Sequence, residues 1–212
     1  MTAKLPDGAT VSLYAAYEPA VDISAITNGV EPVATADNTY LIGDLVLIKS
    51  AWSELNNRVV QVTQNTLTTF TFKGVDTTDT ILFPPGNGYG EAIQISGPEI
   101  ISQIMEFDTA GGEQQYLTYS YLEMNSEQQI PTIFSAQSIS MVIADDPDMP
   151  GMQELKRASD NRALRVMSLA LPGNTTIYYH GFVSLQDSPK IVKSQLIKVK
   201  ATLSLVARHT RF

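Results

Sequence analysis

Lys198-Val199-Lys200-Ala201-Thr202-Leu203-Ser204-Leu205 is the stretch whose reading decides the fold. Val199, Ala201, Leu203 and Leu205 alternate with Lys198, Lys200, Thr202 and Ser204. A period of two gives an extended strand one face for a core and one for water or a charged partner. Working backwards, residues 176–185 and 163–171 read as strands joined by the turn Pro172-Gly173-Asn174. Strand signals recur at 11–17, 23–26, 40–49, 57–63, 68–73, 92–95, 100–107, 114–124 and 138–144. A single helix is predicted over 151–161. There Met152, Leu155 and Ser159 share a face, Glu154, Lys156 and Arg157 point elsewhere, and Asp146 or Asp148 stands ready to cap the N-terminus. The chain is therefore mainly β.

Turn residues divide it further. Asn28-Gly29 on one side and Pro84-Pro85 with Gly86-Asn87-Gly88 on the other bracket a small β unit of its own. The expected organisation is a main domain of residues 1–29 and 91–212 with a module inserted at 30–90. Ala110-Gly111-Gly112 is a flexible break that predicts a long loop or a hairpin tip.

Hydrophobic residues make up 43% of the 212 and charged ones only 17%, against about 25% charged in ordinary soluble domains. A surface this poor in charge suits a subunit that buries much of itself against neighbours. The net charge of −8 argues against ordinary nucleic-acid binding, where Lys and Arg must neutralise phosphates. The charge is also unevenly placed. Residues 106–150 hold eight acids and no Lys or Arg, whereas 151–212 hold ten basic residues against Glu154, Asp160 and Asp187. Such halves attract each other, within one subunit or between copies.

Chemistry finds little foothold. Without cysteine there are no disulfides or thiolate metal sites. No apolar run approaches the ~18 residues of a membrane span. The polar residues 1–10 lack the apolar core of a signal peptide, which predicts a cytoplasm-like compartment. His180 lies in the apolar run Tyr178-Tyr179-His180-Gly181-Phe182 and reads as a hydrogen-bonded structural histidine, and His209 lies in the C-terminal tail. No serine sits in a Gly-x-Ser-x-Gly elbow. Asp145-Asp146-Pro147-Asp148 lacks the ligand spacing of a calcium loop, and Gly86-Asn87-Gly88-Tyr89-Gly90 lacks the Lys-Ser/Thr of a phosphate loop. The expectation is a protein that is not an enzyme and carries no cofactor or metal.

Three segments then carry a resemblance. Gly112-Glu113-Gln114-Gln115-Tyr116-Leu117-Thr118-Tyr119-Ser120-Tyr121-Leu122-Glu123 with Glu127-Gln128-Gln129-Ile130-Pro131-Thr132 is the first. Ile143-Ala144-Asp145-Asp146-Pro147 ahead of the helix, and Tyr179-His180-Gly181-Phe182-Val183-Ser184-Leu185 ahead of the last long strand, are the others. In order and spacing they resemble the major tail tube proteins of long-tailed, non-contractile bacteriophages, over about 98–212 with 11–28 as matching first strands. The resemblance implies two packed antiparallel β-sheets, a sandwich or half-barrel, with one flanking α-helix. It also implies six copies to a ring, inner sheets closing into a barrel, and a loop reaching the next ring. The segment 30–90 resembles a small β-barrel module of several phage tail proteins.

On that resemblance the chain is a structural subunit of the virion tail, assembled in the host bacterial cytoplasm. Its partners are further copies of itself, the tape measure, tail terminator and tail-tip proteins, and passing double-stranded DNA held without specific binding; no membrane is involved. A wall that lets DNA slide should repel phosphate, so Glu106, Asp108, Glu123 and Glu127 are the candidate lumen-lining residues. Gly111, Gly112, Gln114, Tyr116 and Tyr119, within 109–126, are candidates for the inter-ring loop. Lys198, Lys200, Arg208 and Arg211 are candidates for contacts between subunits. A tail terminator or tail-tip ring protein of the same fold is the alternative. From another class, a carbohydrate-binding β-module would use Trp52 as a stacking platform.

Overall fold

The computed structural model of the protein describes residues 8–190 and 196–212, so most of the polar run 1–10 lies outside the described residues. Along the chain, β1 (Thr10–Tyr17), β2 (Val21–Ile23), β3 (Ala25–Ile26), β4 (Val33–Thr35), β5 (Leu45–Ser50), β6 (Arg58–Asn65) and β7 (Thr69–Lys73) come first. β8 (Gly90–Ile101), β9 (Ile104–Ala110), the pair β10 (Gln114–Tyr119) and β11 (Gln128–Phe134), and β12 (Ser138–Ala144) lead to the helix α1 (Pro150–Asp160). β13 (Leu164–Leu171), β14 (Thr175–Lys190), β15 (Lys198–Leu205) and β16 (Thr210–Arg211) follow. The mainly β class with one flanking helix is borne out. Both layers belong to one 14-stranded antiparallel sheet that curls on itself, and only β10 and β11 form a separate two-stranded sheet.

The first part of the sheet closes. Its order β3-β4-β7-β6-β5-β8 ends where β2 pairs with β8. Only Ser24 separates β2 from β3, and its N–H donates to Thr35 O at 2.9 Å. One bent strand thus borders both ends of the path and makes a small barrel, leaving no open edge in that unit. Its alternating side chains fill the interior: Ile23, Val46, Ile48, Val60, Val62, Phe70, Phe72 and Ala92 are all buried with Trp52 and Phe83. The packing frontier therefore runs from Ile23 to Ala92, wider than 30–90 on both sides.

The second part stays open. It runs β8-β1-β13-β14-β15-β12-β9, and α1 covers one face. Leu13, Met141, Met167, Tyr179, Ala201 and Leu203 from the strands meet Met152, Leu155 and Ala158 from the helix. The alternation read in 198–205 is obeyed, with Val199, Ala201 and Leu203 buried and Lys200 and Ser204 exposed.

Two expectations about the helix need correction. The N-cap is Met149, with no side-chain cap bond, so neither Asp146 nor Asp148 fills that role. Pro150 at the first helical position has no N–H to satisfy, which lowers the need for one. Glu154 does not point to solvent: it is 4% exposed, with Arg157 Nη1 donating to it at 2.7 Å and Arg165 Nε at 3.4 Å. A buried carboxylate is tolerable only with such charge-assisted partners.

Nor are the two units joined through loops alone. β8 is one strand of 12 residues, pairing with β5 through Ile95 and with β1 beyond it. The strand bends at Gly97, whose φ of 66° suits a residue without Cβ. A third core cluster lies across the seam, with Leu45, Leu47 and Val59 from the barrel against Tyr14, Val166 and Tyr178 from the open unit. Phe212 stacks on Tyr178 at 4.9 Å, and Arg58 of the barrel donates to His209 O at 3.1 Å in the C-terminal tail.

Candidate assembly surfaces

Three surfaces remain without cover in the open unit. The first is the hairpin of β10 and β11, which continues the β9–β12 pair away from the sheet. Its base is Gly111-Gly112, both at φ 81°. A Cβ on Gly111 would collide with the carbonyl oxygen of Ala136 on the returning strand, so the crossing at the base admits glycine alone. The Gly-Gly break is therefore the root of the hairpin, and its tip is 120–127.

All seven residues of β11 are exposed, and β10 is nearly as bare. Tyr116 faces Pro131, and Leu117 faces Ile130. Tyr116, Leu117, Tyr121, Ile133 and Phe134 are each at least half exposed, and Leu122 at the tip is fully so. Polar bonds hold the shape: Tyr119 Oη donates to Gln128 Oε1 at 2.7 Å, and Gln114 Nε2 donates to Thr132 O at 3.2 Å. Neither strand carries a charge, while Glu123 and Glu127 sit exposed at the tip. An isolated two-stranded hairpin is marginal in water, and one with bare apolar side chains on its strands calls for cover.

The second surface is a pair of strand edges. β9 pairs only with β12 among the described residues. The second half of β8, 96–101, pairs with β1 on one side and with no described strand on the other. Pro98 in that half suits an edge. Apolar side chains stand at both, Ile100 at 60% and Met105 at 45% exposure. Unpaired edges are templates for another chain.

The third is the part of the sheet face turned away from α1 that the barrel leaves bare, since over β1, β13 and the start of β14 that face packs Tyr14, Val166 and Tyr178 against the barrel. Strand register sets out its rows: Ser184, Thr202, Ser140 and Asp108 are aligned across β14, β15, β12 and β9, and Gln186, Lys200, Val142 and Glu106 form the next row. Glu106 and Asp108 thus share a face with Lys200 and, one step along β15, Lys198. Glu123 and Glu127 lie on the hairpin, a different element. Arg211 is in β16. Arg208 makes contacts inside the subunit, with Nη1 at 3.5 Å from Glu54 Oε2 and its guanidinium 4.3 Å over the Phe134 ring.

The remaining candidates are interior. His180 is 3% exposed, its Nδ1–H donating to Asn57 O at 3.1 Å across the seam, and burial pushes its pKa down to about 4. This is the structural histidine its setting predicts. Trp52 is 2% exposed, donates Nε1–H to Pro84 O at 2.9 Å and meets Phe83 edge-on, so it offers no platform to a sugar. Among the described residues Asp145, Asp146 and Asp148 join no metal-type cluster. The free half of β8, the second hairpin strand and the Arg208–Phe134 contact were not foreseen. Of these, β11 alone left a trace in the sequence, its β-prone Ile130 and Ile133 masked by Pro131.

Residues 50–212 match the family model described as phage tail tube protein, a range that includes β6 and β7 of the barrel as well as most of the open unit. No curated protein matches the chain.

Proposed function

We propose, from the premise that this chain belongs to the phage tail tube protein family, that six copies close into a ring and that rings stack into the tube through which DNA leaves the virion. The bare hairpin carries this reading: its apolar strands have no cover among the described residues, and another copy supplies it. Edge pairing closes the ring. β9 of one copy lies along 96–101 of the next, which removes both open edges at once. The same pairing sets β14, β15, β12 and β9 side by side around the channel.

The face aimed at DNA is then mixed. The hydroxyl of Ser140 lies between Glu106 and Asp108 on β9 and Lys198 and Lys200 two strands away on β15, roughly 10 Å at ordinary strand spacing, with Thr202 beside the lysines and Ser184 one strand beyond them. A wall of balanced charge and short polar side chains neither binds nor strongly repels phosphate, in place of the purely acidic wall expected from the sequence. The tape measure fills the lumen before ejection, and terminator and tip proteins cap the two ends. Rings and tubes seen by negative-stain microscopy of the purified chain at near-physiological salt would support the assignment. A folded monomer at every concentration, with few copies per virion by mass spectrometry, would reject it.

A further inference from the structure

At the root of the hairpin lies a groove of about 530 Å³, lined by Arg58, Phe134, Gln137, Arg208 and His209 beside the Gly111-Gly112 crossing. Its charge is unlike the rest of the chain. Two guanidinium groups, those of Arg58 and Arg208, line it, and burial first, then the positive charges of Arg58, Arg211 and Arg208, hold His209 below its ordinary pKa. Glu54 is their one acidic neighbour among the ion pairs of the described residues, pairing with Arg208 at 3.5 Å and also acting on Arg58 through its charge. Arg58 spends its donors on neutral oxygens, His209 O and Thr210 Oγ1, with Glu54 O at 3.5 Å. In a chain of net charge −8 this is a local excess of cation, with Arg58 part-buried and Arg208 about half exposed at the mouth.

We infer that this groove receives the hairpin tip of a second copy, with the carboxylates of Glu123 and Glu127 meeting Arg208 and its neighbouring arginines. The inference rests on the tube reading and names the contact that joins one ring to the next. Donor and acceptor stand at opposite ends of the same hairpin, and β10 alone spans on the order of 20 Å, so a subunit's own tip cannot fold back into its own groove. A shift by about the hairpin's length brings each tip to the next copy's root. Such a contact is heterologous and repeats without end, as a polymer requires and a single closed ring does not. Phe134 forms one wall of the groove beneath Arg208, giving the bare Leu122 and Tyr121 an apolar surface to lie on.

The test uses the full-length chain, with polymer measured by sedimentation and microscopy and folding checked by circular dichroism. E123R/E127R alters only exposed tip residues, so the fold should persist while the concentration needed for tubes rises at least about tenfold. R208E, at the exposed wall of the groove, should fail likewise, and the three changes combined should regain tubes because the charges are exchanged. E123R/E127R polymerising at the wild-type concentration overturns the inference, as does failure confined to the groove variant, which would assign the groove another occupant. If the wild-type chain forms no tubes, the tube reading itself falls first.

Discussion

The barrel and the open unit are made from the same material, alternating strands in one continuous sheet, and they end differently. In the barrel the bent strand of β2 and β3 borders both ends of the path, so every strand has two neighbours and the apolar side chains turn inward around Trp52 and Phe70. In the open unit β9 and half of β8 lack a second neighbour, and β10 and β11 leave the sheet altogether. Closure satisfies a unit by itself. Openness leaves unfinished bonds, which the proposed assembly gives to other copies. That is why the barrel reads as the anchored part of the subunit and the open unit as the polymerising part.

The sharpest way to break this comparison is to remove the barrel. Replacing 31–89 with a short Gly/Ser linker would strip β5 from β8 and uncover Tyr14, Val166 and Tyr178. The expected result is an insoluble or unfolded chain, checked by solubility and circular dichroism. A soluble, folded and assembling variant would show the barrel to be dispensable, as a module tethered by loops would be. Next in size is loss of the hairpin. Joining Gly112 directly to Ala136 should leave the melting temperature nearly unchanged and abolish tubes, because β10 and β11 pair only with each other. A matching loss of fold would move the hairpin into the subunit's own core.

A smaller effect is expected inside the barrel. Trp52→Ala removes a buried ring and its bond to Pro84, at a cost of about 3–5 kcal/mol in chemical denaturation. The smallest concerns the seam. His180 is neutral when buried, its pKa falling from 6.5 to about 4, so the unfolded chain takes up this proton first as pH falls. The stability this group contributes is full above pH 6.5 and is lost as pH falls toward 4, on the order of 2–3 kcal/mol over that window. Denaturation of wild type against His180→Gln would show it as a difference in slope between those pH values.

Much of the fold was legible because alternation is a local signal. The strand 198–205, the turn at 172–174 and the apolar face of α1 all follow from neighbours a few residues apart. Most of what stayed hidden depends on distant ones. Gly97-Pro98 punctuates β8 like a loop, yet pairing with β1 carries the strand through. Pro131 and the surrounding polar residues masked β11 even though its partner β10 is its neighbour across a hairpin, because neither strand shows an alternating apolar face. Glu154 with Arg157 has the spacing of a surface helix pair, and only Arg165 from β13 reveals that it is buried. The charge pattern is a further case. It separates acids and lysines along the chain, while strand register sets Glu106 and Lys200 on one face.

The central claim is that copies join through the edges and hairpin of the open unit. Image reconstruction of wild-type assemblies at a resolution that separates strands tests it most directly. The expected map shows β9 of one subunit alongside 96–101 of its neighbour within a ring, hairpins bridging to the next ring, and barrels outside the closed wall. A map in which barrels make the contacts around the channel, with β9 and the hairpin facing solvent, would contradict it.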